Sequence, residues 1–167
     1  RNILGGAAMM ARIFALMLLA VPSPSFGAGC PVLGPSSVAV FQKPVAGQIS
    51  KSFGMAMHPL LMITRMHSGI DLSGVKGEAV VSSAGGVVRE ARFNAEYGNY
   101  VVVDHGAGWE TIYAHLDRVA ISARDCVAAG QKVGTVGSTG ISSGPHLHFE
   151  LHRDGRPVDP TPFFSGH

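Results

Sequence analysis

The chain has 167 residues, which is enough for one domain with a hydrophobic core but short for two. Hydrophobic residues make up 46% and charged residues 14%, and the formal net charge is +2. Residues 1–28 contain two arginines and no acid, so without them the 11 basic and 11 acidic residues balance. No run of basic residues is present, and we therefore expect no nucleic-acid partner.

The N-terminal segment predicts a secretory signal peptide, which we assign to residues 1–28. Arg12 is followed by a short apolar run, and this run ends where Pro22 and Pro24 follow. A basic residue, a short apolar core and then small residues are the layout of such a peptide. The run is shorter than the roughly 20 apolar residues of a membrane-spanning helix. The alternative is a helix buried in the domain. A signal peptide would direct the protein to export, so we expect it in the periplasm or outside the cell.

The two cysteines, Cys30 and Cys126, bear on the same question. An even number of cysteines in an exported protein favours a disulfide between them. Two free thiols are one alternative. Lipidation of Cys30 is another, because Gly27–Cys30 resembles a lipoprotein cleavage box without its leucine. We expect contact with a membrane only if Cys30 is lipidated.

Strand and turn patterns dominate the remainder of the chain. Residues 29–43 are rich in Gly, Pro and Ser and predict a tether, and we place the folded domain at 44–164. Within the domain, residues 80–88 read as strand, glycine turn and strand, and glycines recur between 127 and 140. No segment after residue 28 has sustained helical periodicity. The predicted class is therefore mostly β, with a single domain rich in antiparallel sheet.

One hairpin is predicted in detail. The β-branched and apolar residues of 100–105 and 109–115 flank Gly106-Ala107-Gly108. Two such runs joined by a short glycine-rich segment form a hairpin. We expect His105, which opens this turn, to be exposed, and Trp109 to lie in the core.

Residues 146–152 alternate as a half-buried strand does. One face carries polar residues and the other apolar residues: His146, His148, Glu150 and His152 against Leu147, Phe149 and Leu151. At about 3.3 Å per residue, His146 and His148 are roughly 6.6 Å apart and can converge on one site. His152 is roughly 13 Å from His148, which is too far. The alternative is a polar face in water.

Two further groups complete a candidate metal site. His67 and Asp71 offer nitrogen and carboxylate ligands that suit Zn²⁺, and Gly69 lets the backbone fold closely between them. His115 is predicted at the end of an apolar strand. Each alone can be a surface polar residue. A catalytic zinc site needs three protein ligands and one open position, which His67, Asp71 and one histidine of the 146/148 pair supply.

The chain resembles the LytM/lysostaphin-type zinc endopeptidases, the M23 peptidases, over roughly residues 44–162. The motifs that carry the resemblance occur in the family's order: Phe53-Gly54, His58-Pro59, Arg65–Asp71, Gly98–Val101, Tyr113–Leu116, Gly130–Gly134, Gly137–Gly140 and Ser143–Glu150. One departure is Ala56, where many relatives carry arginine. This difference bears on substrate contacts and leaves the metal set intact.

The resemblance implies that His67, Asp71 and His148 bind Zn²⁺. It implies that His115 and His146 flank the metal, where they polarise water or stabilise the oxyanion. It also implies a groove in the antiparallel sheet that receives stem or cross-bridge peptides of peptidoglycan.

The implied function is a zinc-dependent endopeptidase that hydrolyses peptide cross-links of bacterial peptidoglycan, acting as a monomer. A single domain without a recognisable wall-anchoring module, together with a disulfide, favours a periplasmic enzyme that cuts D-Ala–diaminopimelate bonds. The alternative is a non-catalytic M23-type regulator of other cell-wall hydrolases. The presence of all the implied site residues argues against that alternative.

Overall fold

The computed structural model describes residues 29–34, 39–57 and 63–165. The predicted signal peptide at 1–28 and His58 lie outside the described residues. No helix in the described part of the chain has the length and apolar character needed to span a membrane.

The described residues form β-strands joined by short turns, with one short 3₁₀ helix near the end. The strands are β1 (Ile49–Lys51), β2 (Gly54–Met57), β3 (Thr64–His67), β4 (Ile70–Ser73), β5 (Ala79–Val81), β6 (Gly86–Asn94), β7 (Gly98–Gly106), β8 (Trp109–Val119), β9 (Cys126–Val127), β10 (Lys132–Val136), β11 (His146–Arg153) and β12 (Arg156–Val158). The 3₁₀ helix spans Thr161–Phe163.

Most strands belong to one sheet. Along its main path the order is β1-β4-β11-β8-β7-β6-β9, while β10 pairs with β5 and β8, and β12 pairs with β11. The paired strands of this sheet are antiparallel, and β2 and β3 form a separate antiparallel hairpin. The prediction of a mostly β, antiparallel domain is therefore confirmed.

The predicted hairpin joins β7 to β8. Its three turn residues have positive φ angles, 80° at Gly106, 50° at Ala107 and 79° at Gly108. Glycine adopts this left-handed region without steric cost, which explains the two glycines at this reversal.

The core lies against one face of the sheet. Leu147, Phe149 and Leu151 of β11 are at most 1% exposed, so the predicted alternation of this strand is confirmed. They pack in one cluster with Ile70 and Leu72 of the neighbouring strand β4. Burying such a side chain contributes about 1.5–3 kcal/mol, so this face holds β4 and β11 firmly in register.

The N-terminal side of the domain also contacts the sheet. Cys30 forms a disulfide with Cys126, which confirms that prediction, and the two Cα atoms are 5.2 Å apart. Phe41 is fully buried and pairs in an isolated bridge with Phe164. The boundary at residue 44 between tether and domain stays a prediction, and side chains on both sides of it pack on the core.

His105 corrects one expectation. It is fully buried rather than exposed, with Nδ1 2.8 Å from the Gly85 carbonyl oxygen and Nε2 2.7 Å from the Thr111 hydroxyl. The alternation of β7 places it on the same face as the buried Val101 and Val103, and this outweighs its closeness to the turn.

Candidate metal centre

The candidate ligands come from neighbouring strands. Asp71 of β4 lies directly opposite His148 of β11 in the antiparallel register, and His67 is the last residue of β3. A side chain at Gly69 would collide with the carbonyl oxygen of Phe149, so glycine allows the loop between β3 and β4 to lie against β11. Glycine thus permits the close approach that brings His67 to Asp71, as the sequence predicted.

Three side-chain atoms converge at this point. His67 Nε2 lies 3.1 Å from Asp71 Oδ1 and 3.2 Å from His148 Nδ1, and His148 Nδ1 lies 2.8 Å from Asp71 Oδ1. These three residues form a group that can hold a metal ion. Ligand atoms about 2 Å from a tetrahedral zinc ion lie roughly 3.3 Å from one another, close to the spacing seen here.

The opposite ring nitrogens of the two histidines support this interpretation. His67 Nδ1 lies 2.7 Å from the Ser52 carbonyl oxygen, and His148 Nε2 lies 3.0 Å from Glu150 Oε1. Because these oxygens accept hydrogen bonds, the outer nitrogens carry protons, and in a neutral imidazole the inner nitrogens are left with lone pairs. Lone pairs converging on one point, each with an outer hydrogen bond, are the arrangement that a metal ion requires.

The electrostatics of the group favour a cation. Burial alone would raise the pKa of Asp71, but hydrogen bonds from His148 and His67 outweigh burial and lower this pKa well below its usual range. Burial opposes the charged form of His148, yet hydrogen bonds with Asp71 and Glu150 raise the pKa of His148 to about 9. The site therefore stabilises positive charge at its centre, whether carried by a proton or by a metal ion.

His115 lies beside the three candidate ligands, but within its strand rather than at the strand end that we predicted. It was expected to end its strand, whereas β8 continues to Val119. His115 has a φ of 61°, and its backbone N–H donates to the Tyr97 carbonyl oxygen. Its Nδ1 lies 2.8 Å from the Thr139 carbonyl oxygen, and burial lowers its pKa. A non-glycine residue in the left-handed region is uncommon, and His115 is the one such residue among the described residues that lines the groove over the candidate ligands.

His146 completes the constellation. Its Nδ1 donates to the Gly144 carbonyl oxygen at 2.8 Å, and its Nε2 lies 3.8 Å from Asp71 Oδ1. Its ring centroid is 4.9 Å from that of His115. The structure therefore brings together all five residues singled out from the sequence. Their individual roles stay predictions.

Three residues at the site had no predicted role: Glu150, Tyr97 and Ser68. Glu150 was placed on the histidine face of its strand, and Ser68 lies within the quoted motif, but neither was given a function. The hydroxyls of Ser68 and Tyr97 each donate a hydrogen bond to the Glu150 carboxylate. Strand alternation could have indicated Glu150, whereas the sequence holds no local signal for Tyr97. His152, expected to be too distant, bonds Glu150 and lies outside the ligand group.

A groove of about 490 Å³ opens over the candidate ligands. The β2–β3 hairpin contributes Ala56, Met57 and Arg65 to its lining, and the loop before β11 contributes Ile141 and Ser142. The predicted groove is therefore present, with all five site residues along it. It is open and mixed in polarity, as a site for an extended peptide would be.

Curated relatives share most of this region. The chain is 45% identical over 114 residues to DD-carboxypeptidase/endopeptidase Mpg of Neisseria meningitidis, covering 68% of this chain and 26% of the relative. It is 39% identical over 113 residues to peptidoglycan DD-endopeptidase ShyA of Vibrio cholerae, covering 67% and 26%. It is also 35% identical over 124 residues to murein hydrolase activator NlpD of Salmonella dublin, covering 74% and 31%. The chain thus spans about a quarter to a third of the length of these relatives.

Solved structures agree with the fold. A zinc-containing peptidase from Vibrio cholerae superposes with a TM-score of 0.67 at 34% identity, over 72% of this chain and 38% of that one. Residues 65–160 match the pattern of Peptidase family M23, which is more than half of the chain. This chain therefore belongs to Peptidase family M23.

Proposed function

We propose that this chain is a zinc-dependent endopeptidase that hydrolyses peptide cross-links of bacterial peptidoglycan. The observation that carries the proposal is the convergence of His67 Nε2, Asp71 Oδ1 and His148 Nδ1 within 2.8–3.2 Å of one another on the floor of an open groove. Three ligands with an open side are typical of catalytic zinc, whereas structural zinc is enclosed by four.

The zinc ion, when bound, would lower the pKa of a water molecule in its open position to about 7 and polarise the carbonyl of the bond to be cut. His67, Asp71 and His148 would hold the ion. The outer hydrogen bonds from His67 to Ser52 and from His148 to Glu150 keep the ligand rings oriented.

His115 and His146 supply the proton-handling groups. Both have Nδ1 bonded to a backbone carbonyl oxygen, so Nδ1 carries the proton and Nε2 is the second, exchangeable position. Among the described residues, Nε2 of His115 has no hydrogen-bond partner, and Nε2 of His146 lies 3.8 Å from Asp71 Oδ1. We assign to these atoms stabilisation of the negative charge that develops on the carbonyl oxygen and transfer of a proton to the leaving amine.

The substrate is inferred from the groove and the relatives. One relative is named as a DD-carboxypeptidase/endopeptidase and another as a peptidoglycan DD-endopeptidase, and the groove over the candidate ligands is open to solvent, as binding of an extended peptide requires. Our finer proposal is the D-Ala–diaminopimelate bond of cross-linked stem peptides. A monomer suffices, because all five site residues come from one chain.

Export of the protein fits the same function. The Cys30–Cys126 disulfide indicates an oxidising compartment, such as the periplasm or the exterior of the cell. We propose that location, because peptidoglycan lies there.

A non-catalytic activator of other hydrolases is the second candidate, and the similarity to a murein hydrolase activator favours it. An activator has no need of a metal site. Here the three ligand atoms, both flanking histidines and the outer hydrogen bonds are all in place, which supports hydrolysis.

Digestion of defined peptidoglycans separates the two functions. Purified protein is incubated with cross-linked peptidoglycan, with zinc and with chelator, and the products are identified by mass spectrometry. We expect cleaved cross-links that disappear with chelator and in Asp71→Ala. The matched control is Asp117→Ala, which removes a carboxylate paired with the exposed Lys76 and should remain active. Zinc-loaded protein that releases no product but accelerates a second hydrolase would establish the activator instead.

A further inference from the structure

A buried carboxylate lies behind the candidate metal centre, and it is neither a ligand nor a proton-handling group in the function proposed above. Glu150 is 1% exposed, two residues after His148 on the same face of β11. It is not a member of the ligand group. Burying a carboxylate is unfavourable unless it is fully hydrogen-bonded, so its contacts indicate what it does.

The contacts of Glu150 are asymmetric. Oε1 accepts hydrogen bonds from Ser68 Oγ at 2.5 Å, from Tyr97 Oη at 2.8 Å and from His148 Nε2 at 3.0 Å. Oε2 accepts from His152 Nε2 at 2.6 Å. All four partners present an O–H or N–H group to the carboxylate, so Glu150 is the acceptor in each of these contacts.

The acceptor at Oε1 determines which nitrogen of His148 faces the ligands. The bond to Glu150 keeps a proton on Nε2, so Nδ1 is the atom that would give up its proton and offer a lone pair to a metal ion. Nδ1 is also the atom that lies 2.8 Å from Asp71 and 3.2 Å from His67. The other tautomer would direct an N–H at the point where these ligand atoms converge.

The other donors hold Glu150 and His148 in place together. Ser68 follows the ligand His67 in the chain, so its bond to Glu150 fixes the loop that carries His67. Tyr97 stacks its ring on His148, with centroids 6.0 Å apart and an interplanar angle of 21°, while its hydroxyl bonds Glu150. One carboxylate therefore connects β11, the β3–β4 loop and the turn before β7.

We propose that Glu150 is a positioning residue for the metal centre, which fixes the Nδ1-ligating tautomer and the ring orientation of His148. The inference rests on the proposed zinc function, since it concerns how His148 presents its ligand atom. Ser68, Tyr97 and His152 hold Glu150 in the position that this task requires. Loss of such an outer hydrogen bond to a ligating histidine typically weakens metal affinity by about 10–100-fold.

Two variants separate positioning from simple filling of the core. In Glu150→Gln, the amide oxygen is expected at the Oε1 position, because three donors point there and only one points at Oε2. The acceptor for His148 is then retained without the charge. Glu150→Leu removes the acceptor and keeps the volume. The matched control is Glu90→Gln, because Glu90 also accepts from a tyrosine hydroxyl, that of Tyr100, but does not line the groove.

The primary measurement is zinc affinity by competition with a chromophoric chelator, beside the melting temperature of each metal-free protein. We expect Glu150→Leu to bind zinc about 10–100-fold more weakly, Glu150→Gln to recover most of that loss, and Glu90→Gln to match the wild type. Wild-type affinity in Glu150→Leu would overturn the proposal. Equal losses in the Gln and Leu variants would also overturn it, because charge rather than the placed acceptor would then be responsible.

A second measurement needs no variant and covers the case in which Glu150→Leu does not fold. Long-range ¹H–¹⁵N spectra of the zinc-loaded wild type should show His148 protonated at Nε2 and metal-bound at Nδ1. Coordination through Nε2 would overturn the proposal while leaving the proposed peptidase function intact. Wild-type protein that binds no zinc at all would overturn both.

Discussion

Two buried histidines on the same sheet have opposite electrostatic surroundings. His105 of β7 is fully buried among a carbonyl oxygen and a hydroxyl, and burial lowers its pKa. His148 of β11 is 6% exposed, and hydrogen bonds with Asp71 and Glu150 overcome burial and raise its pKa to about 9. Burial alone thus gives a neutral structural histidine. Carboxylates on both sides make a histidine part of a site that attracts cations.

The largest expected effect comes from removing the carboxylate of Asp71 or the imidazole ring of His148. Asp71→Ala and His148→Ala should each lose bound zinc and all hydrolytic activity, because two ligands do not hold a catalytic zinc ion firmly. His105→Asn should keep zinc and activity, because no ligand contacts His105. Elemental analysis and turnover on one cross-linked substrate test all three. Full zinc occupancy in Asp71→Ala would refute the ligand assignment.

His115 and His146 should fail in a different way. Their alanine variants should retain zinc and lose roughly 10²–10⁴-fold in activity, because each removes a proton-handling group but no ligand. Zinc content and turnover are measured on the same preparations as for His148→Ala. If His146→Ala is metal-free and His148→Ala keeps its zinc, the roles of the two histidines are reversed.

The disulfide should affect stability without affecting the metal centre. Cys126 lies on β9, four strands from β11 along the sheet, or roughly 19 Å at about 4.8 Å per strand. The double variant Cys30→Ala/Cys126→Ala should lower the free energy of unfolding by roughly 2–5 kcal/mol, since it opens a long loop in the unfolded chain. Zinc affinity should match the wild type. Urea unfolding and chelator competition test the two halves, and a parallel loss of zinc affinity would contradict the separation.

The sequence predicted what depends on local alternation. The apolar face of Leu147, Phe149 and Leu151 and the opposite histidine face both follow from a side-chain period of two. The same rule would have placed His105 with Val101 and Val103 inside the core. We predicted instead that His105 is exposed, because it lies next to a glycine turn. That prediction was wrong, because strand β7 extends through His105 to Gly106.

Features that depend on contacts between distant segments were not predictable from the sequence. The left-handed backbone of His115 is held by the Tyr97 and Thr139 carbonyl oxygens, which lie 18 and 24 residues away. The burial of Glu150 depends on Ser68, 82 residues earlier. The ligand set itself was open between His146 and His148 until the family resemblance assigned it. Strand register now places His148, not His146, opposite Asp71.

The smallest expected effect concerns pH and tests His105 as the structural member of the pair. Because the pKa of His105 is lowered in the folded protein, the unfolded chain binds a proton near pH 6.5 that the folded protein does not. Stability is therefore complete above about pH 6.5 and falls as pH drops from there toward the folded pKa, by at most about 1.4 kcal/mol per pH unit.

His105→Asn should remove this dependence, although it lowers stability at every pH. Unfolding by urea is measured for both proteins between pH 5.5 and 7.5, with chelator present so that zinc release does not contribute. The contributions of the candidate metal centre are the same in both proteins and cancel in the difference, because His105 shares no contact with it. We expect the two stability curves to converge as pH falls. Curves that stay parallel would mean that His105 is protonated equally in the folded and unfolded states, and that burial does not keep it neutral.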